Sequence, residues 1–281
     1  MDEPAQKRAR FSTAACPKPS ASKGRLPDLS KLIPDVKGLP APVSVRHKFR
    51  GSSLFIGVDI ETHAPISTSD NCDFRSGEFD IKITVTDECL SSLRMIQLGW
   101  VFVDEASTVI KTKLIKPRDF TVKSDATKVH HITDEEARDH GVPLQQALCE
   151  FIEDMIALHG KGYRLCAHHL GFDAGIILRE LDRAGMHSRK LEWVSMVQKG
   201  LCTMDPSICH WVRQQIGLWD FPRNVPLSLK DATKFILPSH SNMLSKHHHA
   251  GNDAHMHMLL AQELHRRVHS HLPDSSHAVN G

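Results

Sequence analysis

The segment Leu54-Phe55-Ile56-Gly57-Val58-Asp59-Ile60-Glu61 limits what this chain can become more than any other. Its five leading residues form a strand-sized apolar run, and the acids that follow mark where a buried strand reaches the edge of a sheet. This is expected to be the central strand. Residues i and i+2 of a strand share a face, so Asp59 and Glu61 converge at its end while Ile60 packs on the opposite side. Two convergent anions repel unless something positive lies between them. Hard divalent cations such as Mg²⁺ take oxygen ligands from one or two carboxylates, which makes this strand end a candidate metal position.

Around that strand the pattern predicts a mixed sheet. Residues 95–103 give a second apolar strand and residues 109–115 alternate as a third, an antiparallel opening to the domain. Between the first two lies a polar insertion, residues 62–93, with six acids against two bases. Its segment Phe79-Asp80-Ile81-Lys82-Ile83-Thr84-Val85-Thr86 alternates strictly and predicts an added edge strand. Thr133-Asp134-Glu135-Glu136 reads as a capping box ahead of an amphipathic helix over 142–158. A fourth strand is expected at 163–167, a helix at 172–184 stopped by Gly185, and a fifth strand within 193–203. Further helices are expected over 207–216, 228–236 and 252–269. Strands first, then strands mixed with helices, indicates an α/β sheet with an antiparallel portion and helices on its faces.

Composition narrows the class. Apolar residues at 40% and charged residues at 24% are those of an ordinary globular protein. No apolar run approaches bilayer length, and no apolar segment follows the first residues, so an intracellular protein without membrane association is expected. Seven cysteines without a C-x-x-C pair fit reduced thiols. Charge is uneven: residues 1–50 hold 11 Lys and Arg against 4 Asp and Glu, while the remainder has net charge −5. That basic stretch also carries 7 of the 15 prolines, so residues 1–51 are expected to be a disordered arm. Its Lys7-Arg8-Ala9-Arg10 would serve as a nuclear address or add phosphate contacts, leaving nuclear and cytoplasmic residence both open. One domain, residues 52–271, and a flexible tail, 272–281, complete the organisation.

Three more residues join Asp59 and Glu61 as candidates. Asp173 lies in the first turn of a helix directly after the fourth strand. Asp253 shares the core-facing stripe of the last helix with Met256 and Leu260, where an unpaired carboxylate is costly and a metal would resolve the cost. His248, five residues earlier in a loop, is placed to take a proton from water. Most other histidines read as surface residues.

Taken in order, D-x-E (Asp59 to Glu61), H-x-x-x-F-D (His168 to Asp173) and H-x-A-x-x-D (His248 to Asp253) resemble the three motifs of the DEDDh exonucleases, of the ribonuclease H-like superfamily. Ile96-Gln97-Leu98-Gly99 and Val129-His130-His131-Ile132-Thr133 are similar to further family stretches. The resemblance implies a five-stranded ribonuclease H-like fold and a 3′-to-5′ exonuclease that releases nucleoside 5′-monophosphates from DNA or RNA. Two Mg²⁺ ions, replaceable by Mn²⁺, would be held by Asp59, Glu61, Asp173 and Asp253, with His248 as general base. Thr62, His130 and His168 would contact a nucleic-acid partner, expected to be a single-stranded 3′ end. His131 stands where the family usually has glycine, and His169 where asparagine is common. The alternative is a nuclease-like fold retained as a nucleic-acid-binding or interaction module.

Overall fold

The computed structural model describes residues 40–65, 88–218 and 226–270. The alternating segment within the insertion, the tail 272–281 and most of the basic arm lie outside them. Five strands form the expected sheet: β1 (Phe55–Thr62), β2 (Met95–Asp104), β3 (Ser107–Leu114), β4 (Arg164–Ala167) and β5 (Leu201–Cys202), in the order β3-β2-β1-β4-β5. β1 runs antiparallel to β2 and β2 to β3, while β4 and β5 join parallel to β1. The acid-bearing strand is therefore central. Asp59 stands opposite Gly99 and Glu61 opposite Gln97, and the ladder is irregular between Glu61 and Thr62, where the chain leaves for the insertion.

The helices are α1 (Val43–Lys48), α2 (Glu88–Ser91), α3 (Ser124–His130), α4 (Asp134–His140), α5 (Leu144–Gly160), α6 (Leu170–Arg183), α7 (Lys190–Gln198), α8 (Pro206–Gln215), α9 (Leu229–Ile236) and α10 (Ala250–His269). Their starts follow from local chemistry. Thr133 accepts the Glu136 amide at 3.0 Å ahead of α4, and Asp205 caps α8, with proline in that helix's first turn. Ile56, Val58, Ile60 and Trp100 cover one sheet face with Phe151, Met155, Ile177 and Trp193. On the other face Phe55, Val101 and Cys166 meet Trp211, Leu260 and Leu264.

One expectation is narrowed and one corrected. The fifth strand lies within 193–203 as expected but takes only Leu201–Cys202, and residues 190–198 are helical; the buried Trp193, Met196 and Val197 recur at helical spacing. The arm does not extend to residue 51. Ala41, Val45 and Phe49 are buried against the core around α8 to α10, and their spacing of four makes one face of α1. Prolines and bases around that face hid it in the sequence.

Helix α10 lies directly on the sheet backbone. A Cβ on Gly57 would sit 1.9 Å from the Ala254 carbonyl oxygen, and one on Gly99 2.3 Å from the Ala250 carbonyl carbon. Only glycine permits this approach. At the same crossing Gln97 Oε1 accepts the Ala250 amide at 2.8 Å, satisfying a donor in the first turn of α10. Among the described residues, no helix is long and apolar enough to cross a membrane.

Candidate active site

At the end of β1 the alternation of the strand turns Asp59 and Glu61 toward α10, and the first turn of that helix supplies Asp253. Carboxylate oxygens of these three lie within 4.8 Å of one another. Asp173 arrives from the first turn of α6, buried, and its Oδ1 accepts the Ile60 amide at 3.2 Å, directly between the two strand acids. The four expected acids are thus assembled by three elements, although Asp173 stands outside the tightest group.

Their electrostatics are those of a site awaiting positive charge. Burial, followed by repulsion from Asp173, Glu61 and Asp253, holds the Asp59 carboxyl well above the usual carboxylate range. Burial and then the charges of Asp253 and Asp173 push Glu61 up to about 8. Burial likewise raises Asp173 to about 8, against the pull of its own amide and that of Ile60. Asp253 Oδ2 accepts the His248 amide at 3.0 Å, whereas its buried Oδ1 has no hydrogen-bond partner. An orphaned buried carboxylate oxygen among three other acids fits an oxygen-preferring divalent cation.

His248 sits at the rim in a left-handed conformation, φ 67°, with its ring stacked on His247 at a centroid distance of 3.8 Å. Partial burial and then the His247 ring lower its pKa, against the opposing pull of Asp253. It is therefore mostly neutral near pH 7 and able to accept a proton. His247 Nδ1 lies 2.8 Å from Asp253 Oδ2 but lacks the alignment of a hydrogen bond.

Among the described histidines, His63, His130, His168 and His257 are buried. His168, expected at the substrate, is buried: Nε2 donates to the Leu227 carbonyl at 2.7 Å and Nδ1 lies 3.0 Å from the Thr203 hydroxyl. Burial first, then His257, on which its ring stacks at a centroid distance of 6.3 Å, drives its pKa down to about 3, so it stays neutral. His130 is similarly committed. Its Nδ1 accepts the Ile132 amide at 3.0 Å and its Nε2 donates to the Thr62 carbonyl at 3.2 Å, tying the end of β1 to α3. The Thr62 hydroxyl in turn donates to the Ala64 carbonyl at 2.8 Å.

Sequence reading gave His257 no role beside the acids. It is buried on α10, donates from Nδ1 to the Val58 carbonyl at 2.8 Å, and sets Nε2 3.8 Å from Asp59 Oδ1. Its place one turn after Asp253 on the same stripe was the available signal. The two departures from the family pattern keep local geometry. His131 adopts φ 64° where glycine is the easy choice, and His169 Nδ1 accepts the Phe172 amide at 3.1 Å, as a capping asparagine would.

No sequence-family model and no curated protein sequence matches the chain. Among solved structures, it is similar to the zinc-bound complex of Escherichia coli exonuclease I with single-stranded DNA, at TM-score 0.52 and 16% identity over 77% of this chain and 41% of that one. The complex of E. coli exonuclease I with a dT13 oligonucleotide gives TM-score 0.53 and 16% identity over 77% and 42%. A product-bound exonuclease I gives 0.53 and 15% over 77% and 44%. This chain therefore spans less than half the length of those exonuclease I chains. The likeness shows the fold: the ribonuclease H-like sheet and helices expected from the motif order are those the chain adopts.

Proposed function

We propose that the protein is a metal-dependent 3′-to-5′ exonuclease that hydrolyses the terminal phosphodiester of DNA or RNA and releases nucleoside 5′-monophosphates. The observation that carries this reading is the convergence of Asp59, Glu61 and Asp253 within 4.8 Å, with Asp173 tied between the strand acids. Asp59, Glu61, Asp173 and Asp253 would hold two divalent cations, Mg²⁺ or in its place Mn²⁺. Such a pair, when bound, activates water and stabilises the attacking and leaving oxygens of an in-line displacement.

The chain's own residues do the remainder. His248, kept neutral at the rim, accepts the proton of the attacking water. His257 fixes the Val58 carbonyl and thereby the direction in which Asp59 points. Asp173 holds the Ile60 amide, so the two strand acids cannot twist away from each other. Thr62 and His130, linked through the Thr62 carbonyl, form the wall beside a single-stranded 3′-terminal nucleotide. His168 supports this arrangement without touching substrate.

The test uses 5′-labelled single-stranded DNA and RNA with the full chain, Mg²⁺ or EDTA, and the Asp59→Ala and His248→Ala variants. Products shortening stepwise from the 3′ end, absent with EDTA and with Asp59→Ala, and slowed about 10²- to 10⁴-fold by His248→Ala, are expected. Folded protein that binds the oligonucleotides yet cleaves neither with Mg²⁺ or Mn²⁺ would leave the binding-module reading in its place.

A further inference from the structure

We infer that His247, His248 and Asp253 form a second cation site, one that selects a borderline transition ion such as Zn²⁺ and, when filled, silences the carboxylate centre. One ligand atom from each of the three lies within 4.8 Å of the others. His247 Nδ1 is 2.8 Å from Asp253 Oδ2, and the two imidazole rings are stacked at 3.8 Å, interplanar angle 30°, so both are held beside the same acid.

Beyond that proximity, His247 Nδ1 is a buried atom without a hydrogen bond, because its contact with Oδ2 of Asp253, a residue only 3% exposed, lacks the alignment of one. A buried polar atom left unpaired is costly, and a coordinated ion removes that cost. Zn²⁺ binds imidazole nitrogen and carboxylate oxygen at about 2.0 to 2.2 Å, which sets tetrahedral ligand atoms about 3.3 to 3.6 Å apart. That separation falls between the 2.8 Å contact and the 4.8 Å span of the trio.

Donor chemistry separates the two sets. Asp59, Glu61 and Asp253 offer oxygen alone, suited to Mg²⁺ or Mn²⁺, while two imidazoles and one carboxylate suit Zn²⁺ and disfavour Mg²⁺. Three protein ligands also leave a coordination position open. Because Asp253 belongs to both sets, an ion in the histidine set draws it from the carboxylates. The same ion occupies the nitrogen with which His248 would accept a proton. The cation site stands on these contacts; its effect on turnover rests on the exonuclease reading.

The experiment titrates the metal-free full chain with Zn²⁺ against a chromophoric chelator, and with Co²⁺ as a spectroscopic probe. We expect a tight equivalent of Zn²⁺, weakened about tenfold or more by His247→Asn and by His248→Asn, since even an outer-shell partner is worth that much. The double variant Asp59→Asn, Glu61→Gln should retain that binding. Co²⁺ should show the intense visible bands of a four-coordinate ion in the wild type and lose them in His247→Asn, with melting curves confirming that each variant is folded. Zn²⁺ binding that ignores both histidine changes, that disappears in the carboxylate double variant, or a six-coordinate Co²⁺ spectrum in the wild type overturns the inference. In the activity arm, Zn²⁺ should inhibit Mg²⁺-supported cleavage, with about tenfold more needed in His247→Asn. Absence of cleavage under every condition would sink the exonuclease reading and leave the binding result standing. Cleavage with histidine-independent Zn²⁺ binding would do the reverse.

Discussion

Helix α6 carries two buried acids two turns apart, Asp173 and Glu180, and the fold treats them in opposite ways. Glu180 is 1% exposed, and a single oxygen, Oε1, accepts from the Met95 amide at 3.0 Å, Arg183 at 2.8 Å and Arg94 at 3.3 Å. The same arginines hold down the far end of the insertion, Arg183 by donating to the Ser91 and Leu93 carbonyls. Asp173 instead faces three more acids and takes a backbone amide as its chief relief. One acid is neutralised from within the chain; the other belongs to a set whose charge the chain leaves uncompensated. A buried carboxylate thus reveals its purpose by what surrounds it: matched cations mark architecture, accumulated anions mark a place for something from outside.

The comparison breaks most directly at Asp59. Asp59→Asn should lower kcat/KM by on the order of a thousandfold or more, while the metal-free protein melts no lower than wild type, because one of four repelling groups has been neutralised. A variant that loses activity and also melts far lower would show that Asp59 is an architectural acid like Glu180. Glu180→Gln should do the opposite, reducing stability by about 3 kcal/mol through two stranded arginines, as read by denaturant unfolding.

A third expectation concerns pH. Glu61 and Asp173 are raised to about 8 in the folded chain and return to ordinary carboxylate values when it unfolds. Between these limits the folded state holds more protons than the unfolded state. Stability of the metal-free protein should therefore fall as pH rises from about 5 toward 8, by about 4 kcal/mol if the coupled pair gives up the equivalent of one proton. Mg²⁺ should flatten or reverse that slope in melting curves taken across the range, and a metal-independent profile would argue against a cation among these acids. Smallest of all should be Asp119→Asn. Its contact with Arg94 is 2.6 Å, yet its side chain is 69% exposed, so less than about 0.5 kcal/mol should be lost.

Local rules placed Asp59 and Glu61 by alternation and Asp253 on the apolar stripe shared with Met256, whereas the start of a helix alone did not single out Asp173, which joined them through the order of the family-like motifs. The five strands followed from the same patterns. Hidden from sequence were the groups whose partners are distant. Nothing near His168 announces Leu227 or Thr203, and nothing near Glu180 announces Arg94, 86 residues away. Periodicity tells which side of an element faces inward, but not which remote donor will satisfy a polar atom there. Helix α1 was missed for a different reason, since three apolar residues spaced by four are easily masked by prolines and bases.

The close seating of α10 on Gly57 and Gly99 has a temporal consequence. His257 reaches back 199 residues to Val58, and Asp253 travels with it. At a synthesis rate of about 5 to 20 residues per second, roughly 10 to 40 seconds separate the appearance of the first acids from that of the last. Throughout that interval a nascent chain on the ribosome possesses Asp59 and Glu61 but no complete centre. Docking of the final helix is thus the step that completes the acid cluster: the four carboxylates come together only when α10 has covered its face of the sheet.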